Sequence, residues 1–190
     1  KLDVTSDEIV EEWREDLKKN PIGGYQFSRQ TPPLRDMDIY SLTPANSKRQ
    51  EMVSLYADID GFTAYVADHI NEKTDDVVRT LQALSCDGTA HTTDEEKSVS
   101  EATRLAGALR SSFNLAIERL NAEGIETGDL GLAIGFDLGP IAVTRLGAKG
   151  NRVRCAIGRS VIESEKRQCA CSGVETAIGQ VAYDAASKAV

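Results

Sequence analysis

The sequence predicts an α+β domain. A long amphipathic helix pattern occupies its middle, and two apolar runs further on are joined by turn-forming residues and read as a hairpin. At 190 residues with 41% hydrophobic positions, the chain supports one well-buried core plus an appendage, and is too short for two comfortable domains.

Ser6 followed by Asp7, Glu8, Ile9, Val10, Trp13 and Leu17 reads as a capped amphipathic helix that stops at Lys18-Lys19-Asn20-Pro21. Residues 21 to 49 hold four of the five prolines and little periodicity, which reads as an irregular arm. Residues 1–50 are therefore taken as an N-terminal helix and proline-containing arm, and 51–190 as the main domain. Met52-Val-Ser-Leu-Tyr-Ala57 is a core strand that ends in Asp58-Ile59-Asp60-Gly61. A helix follows from Phe62 to about His69, and another opens near Thr74, with Val77, Val78 and Leu81 on one side. Thr92 or Thr93 caps the longest helix, in which Val99, Ala102, Leu105, Ala106, Leu109, Phe113, Ile117 and Leu120 recur at helical steps until Gly124. The runs Gly131–Phe136 and Ile141–Arg145, joined by Asp137-Leu-Gly-Pro140, form the expected hairpin. A glycine-containing loop from Gly147 to Gly150, the segment Arg152–Gly158, a helix from Ser160, a strand over Thr176–Ala182 and a helix from Tyr183 complete the chain.

A net charge of −8, with no run of more than two consecutive basic residues, argues against a nucleic-acid surface. Cys86, Cys155, Cys169, Cys171, His69 and His91 form no CxxC pair and no paired zinc-ligand spacing. They read as reduced thiols and ordinary histidines of a cytoplasmic protein. No apolar run approaches the roughly 18 residues needed to span a bilayer.

In LYADIDGFTAY (Leu55–Tyr65), Asp58 and Asp60 share one strand face, and Gly61 lets the backbone bend so that the amides of the next turn converge. Carboxylates beside a helix N-terminus suit a hard cation carrying phosphates: the acids hold Mg²⁺ or Mn²⁺ and the N–H groups hold phosphate oxygen. The competing reading is an ordinary strand end with a helix-capping Asp.

The order Ala57-Asp-Ile-Asp-Gly-Phe-Thr63, long helix, Gly135-Phe-Asp-Leu-Gly-Pro140, then Ile157-Gly-Arg-Ser-Val161 opening a helix resembles the catalytic domain of the class III nucleotidyl cyclases. The resemblance covers roughly residues 51 to 190. It implies a ferredoxin-like, antiparallel-rich sheet with helices packed on it, and two domains paired head to tail with active sites between them. It makes Asp58 a metal ligand, the Ile59 carbonyl and Asp60 further metal contacts, and Gly61, Phe62 and Thr63 the triphosphate cradle. The family usually has an uncharged residue where this chain has Asp60. The implied reaction is attack of a ribose 3′-oxygen on the α-phosphorus with loss of pyrophosphate.

The chain departs from the family in three places. A second metal-binding Asp in a Gly-Asp step, and the base-reading lysine before it, have no counterpart. The hairpin that carries them needs roughly 20 to 30 residues at usual element lengths, whereas only Gln82-Ala-Leu-Ser-Cys-Asp-Gly88 stands there. A segment missing near residues 81–84 is the favoured explanation; a single helix running on to Gly88, or a degenerate cyclase, are the others. Where adenylate cyclases have a base-reading Asp stands Cys155, as in guanylate cyclases. Where the family shows Asn and, four residues on, Arg, the chain has Ile162 and Lys166, with Arg167 next. Lys166 and Arg167 are then the candidates for transition-state charge, the alternative being a solvated helix face with Glu163 and Glu165.

A divergent base pocket behind a capped helix and proline-containing arm resembles the pyrimidine cyclases of bacterial Pycsar antiphage systems, as does the opening Thr92–Val99. That resemblance implies UTP, favoured over CTP, as substrate, a cyclic pyrimidine product, a homodimer and a downstream effector that senses the product. A catalytically inactive cyclase-like module that binds nucleotide or dimerises, a purine cyclase, and an unrelated metal-phosphate fold are the competing readings.

Overall fold

The computed structural model describes residues 10, 11, 14, 15, 18, 19, 26–29, 42, 46–84, 95–146 and 153–187. Its elements are β1 (Gln26–Arg29), β2 (Asn46–Asp60), α1 (Phe62–His69), α2 (Thr74–Leu84), α3 (Glu95–Ala122), β3 (Gly131–Leu146), β4 (Val153–Gly158), α4 (Arg159–Cys169), β5 (Thr176–Ile178) and α5 (Gln180–Ser187). The positions from 10 to 19 that are described are helical, with Arg14–Glu11 and Lys19–Glu15 ion pairs one turn apart, and the expected cap at Ser6 lies outside the described residues.

One five-stranded sheet runs in the order β1-β2-β3-β4, with β5 added to β3. β2 and β3 are antiparallel from Lys48↔Val143 to Asp60↔Gly131, and β3 and β4 from Ile141↔Gly158 to Leu146↔Val153. β1 lies parallel to the start of β2, and β5 parallel to the middle of β3. The boundary drawn after residue 50 therefore falls inside β2. The arm is also more than a linker: it contributes β1, and its Leu42 is buried.

The expected hairpin over Asp137–Pro140 is not formed. β3 continues through those residues, and the hairpin is the one between β3 and β4. Tertiary contacts override the local turn preference. Leu138 and Gly139 stand opposite Val53 and Met52 in the ladder, the Asp137 N–H donates to Ser164 Oγ, and its carboxylate accepts from its neighbour Leu138 N–H. The same buried Asp137 Oδ1 accepts the Ala182 N–H, which caps α5 and starts that helix at Gln180 instead of Tyr183. Bonds to a charged acceptor are worth roughly 1.5–3 kcal/mol each.

Alternation along β2 divides the layers. Val53, Leu55 and Ile59 turn toward α3, where Val99, Ala102, Ala106, Leu109 and Phe113 meet Leu132, Ile134, Phe136 and Leu138 of β3. Ser54, Asp58 and Asp60 belong to the opposite face, on which α4 packs. There α4 sits directly on β3 backbone. A Cβ at Gly135 would overlap the Gln168 amide and the Ser164 carbonyl, and Ser160 packs against Gly139. Ser164 Oγ also donates to the Ser54 carbonyl at 2.7 Å, joining α4 to β2.

α2 is continuous across residues 81–84, and the extension to Gly88 that a single helix would have lies outside the described residues. Thr92, Thr93, Cys86 and His91 also lie outside them. β1 covers β2 only over Asn46–Arg49, so among the described residues the edge of β2 from Met52 to Asp60 opposite β3 has no partner strand. No helix among the described residues is long and apolar enough to cross a membrane.

Replacing Gly135 by Ala forces α4 off the sheet. We expect a loss of about 1–3 kcal/mol from overpacking, read in urea unfolding as a lower midpoint with an unchanged slope; an unchanged midpoint contradicts this packing.

Candidate active site

The site is built on the last residues of β2. Gly61 adopts φ 78°, ψ −5°, a left-handed conformation that costs a side-chain-bearing residue roughly 1–2 kcal/mol. A Cβ there would also stand 3.4 Å from the Asp129 carbonyl oxygen. The turn it makes starts α1 at once, and the Tyr65 N–H returns to the Gly61 carbonyl at 3.0 Å. Amides in the first helical turn have no acceptor within the helix, and carry its positive end. Phe62 and Thr63 supply two of them.

Asp58 and Asp60 are exposed, while Ile59 between them is half-buried against the core. The strand thus anchors through Ile59 and offers two carboxylates to solvent beside the helix start. Their situations differ. Asp60 Oδ2 accepts the Gly173 N–H at 3.0 Å, whereas Asp58 has no hydrogen bond or ion pair among the described residues.

The turn that meets Asp60 is itself strongly bonded. Glu175 Oε2 accepts from the Ser172 N–H and hydroxyl at 2.8 and 2.9 Å, and these two bonds hold the Glu175 carboxyl below its ordinary value of 4.5. Arg110 of α3 donates to the carbonyls of Gly173 and Glu175 and to Thr176 Oγ1. Sequence reasoning did not find Arg110, Gly173 or Asp129.

Among the described residues no three His, Cys, Asp or Glu side chains come together as a closed metal cage. An exposed carboxylate pair at a helix N-terminus does fit Mg²⁺ or Mn²⁺, which commonly binds through one or two carboxylates together with substrate phosphates. His69 serves structure: its ring stacks on Tyr65 with centroids 4.6 Å apart, and Nδ1 bonds the Tyr65 carbonyl.

The other sequence candidates stand elsewhere. Cys155 is half-buried on β4, opposite Thr144. Lys166 and Arg167 lie on the exposed side of α4, and Lys166 Nζ pairs with Glu163 Oε1 at 2.9 Å, which lowers the Glu163 pKa. No hydrogen bond or ion pair among the described residues joins Cys155, Lys166 or Arg167 to Asp58 or the Gly61 turn.

No family model matches the chain. A uridylate cyclase of Pseudomonas aeruginosa is 88% identical over 217 positions, covering 100% of this chain and 42% of the relative. A uridylate cyclase of a Rhizobium species is 38% identical over 83% of this chain and 35% of the relative. The chain thus spans less than half the length of these curated relatives. The Pseudomonas alignment is 27 positions longer than the 190 residues of this chain, which it covers in full. Among solved structures, a class III adenylyl cyclase-like ATP-binding protein from P. aeruginosa superposes with TM-score 0.81 at 86% identity, over 100% of this chain and 46% of that one. The adenylyl cyclase CyaB from P. aeruginosa, with TM-score 0.57, 19% identity and coverage of 75% and 83%, shares the fold.

The depressed pKa of Glu175 sets a pH dependence. Its contribution to stability is full above the ordinary value of 4.5 and is lost as pH falls through the lower folded value. Thermal unfolding of Glu175→Gln and the parent chain should differ at pH 7 and converge as the pH is lowered through and below the ordinary carboxyl value of 4.5; a constant difference contradicts the assignment.

Proposed function

Since the chain belongs to the class III nucleotidyl cyclases, close to the uridylate cyclases, we propose that it converts a pyrimidine nucleoside triphosphate to a 3′,5′-cyclic nucleotide. The substrate in this reading is UTP, favoured over CTP. The 3′-hydroxyl oxygen forms a bond to the α-phosphorus, its proton is lost, and the bond from the α-phosphorus to the bridging oxygen breaks to release pyrophosphate. The observation that carries the reading is the left-handed Gly61 turn, which starts α1 with the amides of Phe62 and Thr63 just after Asp58, whose carboxylate has no hydrogen bond or ion pair among the described residues.

Asp58 and the Ile59 carbonyl are the metal-holding groups. The cation, Mg²⁺ or Mn²⁺, supplies charge stabilisation to the leaving pyrophosphate. Gly61, Phe62 and Thr63 receive the phosphates through backbone amides, which tolerate charge without a titrating group. Cys155 lines the base pocket. Lys166 and Arg167 reach the phosphates of the partner subunit's site in a head-to-tail homodimer. A cytoplasmic location, a product-sensing effector and a role in antiphage defence complete the reading, and rest on the resemblance alone.

The edge of β2 from Met52 to Asp60, which has no partner strand among the described residues, and the 27 further positions of the Pseudomonas alignment support an absent strand pair that would carry the second metal carboxylate and the base-reading lysine. The same open edge favours a second reading, in which these 190 residues bind nucleotide without turning it over.

The test incubates the purified protein, with and without the absent segment restored from its relative, with each of the four ribonucleoside triphosphates and Mn²⁺ or Mg²⁺. We expect a cyclic pyrimidine nucleotide by chromatography from the restored chain, and its loss in Asp58→Ala with unchanged circular dichroism. A cyclic purine product overturns the substrate class, and no product from a folded, restored dimer overturns the activity.

A further inference from the structure

We propose that Asp60 is a positioning residue and not a metal ligand: its carboxylate grips the Gly173 amide and thereby sets the strand end that carries Asp58. The inference rests on the cyclase reading of Asp58.

Both polar backbone groups of Gly173 are taken. Its N–H goes to Asp60 Oδ2 at 3.0 Å, and its carbonyl accepts the Leu132 N–H at 2.6 Å and Arg110 at 3.3 Å. Gly173 is therefore a node between β2, β3 and α3. It also packs backbone to backbone on Gly131, the residue paired with Asp60 in the β2–β3 ladder. A Cβ added to either glycine would stand 2.6 Å from the other's Cα, and one on Gly173 would stand 3.1 Å from the Asp60 Cβ. Such an approach leaves no room for another residue type.

The turn has little freedom to follow a moving strand. Arg110 fixes its carbonyls from α3, Glu175 closes it on Ser172, and the Ile134 N–H holds the Glu175 carbonyl at 3.2 Å. The bond to the turn fixes the orientation of the Asp60 carboxylate. Asp58, on the same face two positions earlier and without a protein partner among the described residues, is left to meet a cation. A carboxylate that orients a neighbouring ligand through backbone acts as an outer-shell group, whose loss typically costs about 10–100-fold.

Asparagine separates the two roles, because its side-chain oxygen still accepts the Gly173 N–H while the negative charge is gone. Mn²⁺ binding is measured by electron paramagnetic resonance in the presence of a non-hydrolysable UTP analogue, turnover by product formation, and Gly173 protection by amide hydrogen exchange, all on the restored chain. Asp60→Ala should lose at least about tenfold in kcat and expose the Gly173 amide, and Asp60→Asn should restore both, with Mn²⁺ affinity kept. Asp58→Asn should abolish Mn²⁺ binding. Loss of Mn²⁺ in Asp60→Asn to the same extent as in Asp58→Asn overturns the proposal, as does unchanged Gly173 exchange in Asp60→Ala. Retained Mn²⁺ binding in Asp58→Asn overturns the cyclase site itself, a different failure that the exchange measurement does not share.

Discussion

The antiparallel ladder between β2 and β3 is the constraint on which the rest of the structure depends. Its register sets Asp60 opposite Gly131 and Asp58 opposite Ala133, and every other part of the site is hung from one of its two strands. A slip of one residue would turn Asp58 and Asp60 into the core and Ile59 out of it. The register is secured on the core side by Val53, Leu55 and Ile59 packing against α3 together with Ile134 and Phe136. Apolar burial thus fixes the direction in which the carboxylates point.

The opposite face is held by close approach and hydrogen bonds more than by bulk. Glycine at 135 lets α4 rest on backbone, and Ser54, Ser160 and Ser164 join helix to strand through hydroxyls. The arrangement is economical in space but intolerant of added volume. Asp137 performs a related task one turn further along. Buried among the backbone amides of Leu138 and Ala182, it ties β3 to the start of α5, and Gly179 leaves room for its carboxylate. The positions of α4 and α5 are therefore consequences of β3.

Much of this was legible in the sequence wherever the signal is local. Phe62–His69 is found as expected, and the apolar steps from Val99 to Leu120 name the buried face of α3. Gly61 and the helix after it also announce themselves, because the turn needs glycine. Non-local pairing was not legible. Asp137-Leu-Gly-Pro140 has the composition of a turn, and only its pairing with Glu51–Ser54 makes it strand. β1 lies in a stretch whose prolines conceal it. The bond between Asp60 and Gly173 spans 113 positions, so nothing near either residue reveals it.

The central claim is that the end of β2 is where a divalent cation and a triphosphate meet, with Asp58 as the ligand. The most direct measurement is a crystal structure of the restored chain with Mn²⁺ and a non-hydrolysable UTP analogue, with the metal located by anomalous scattering. We expect a Mn²⁺ peak within roughly 2.0–2.6 Å of an Asp58 carboxylate oxygen, phosphate oxygens on the Gly61–Thr63 amides, and Asp60 still bonded to Gly173. A metal bound away from Asp58, or phosphates seated away from the Gly61 turn, would contradict it.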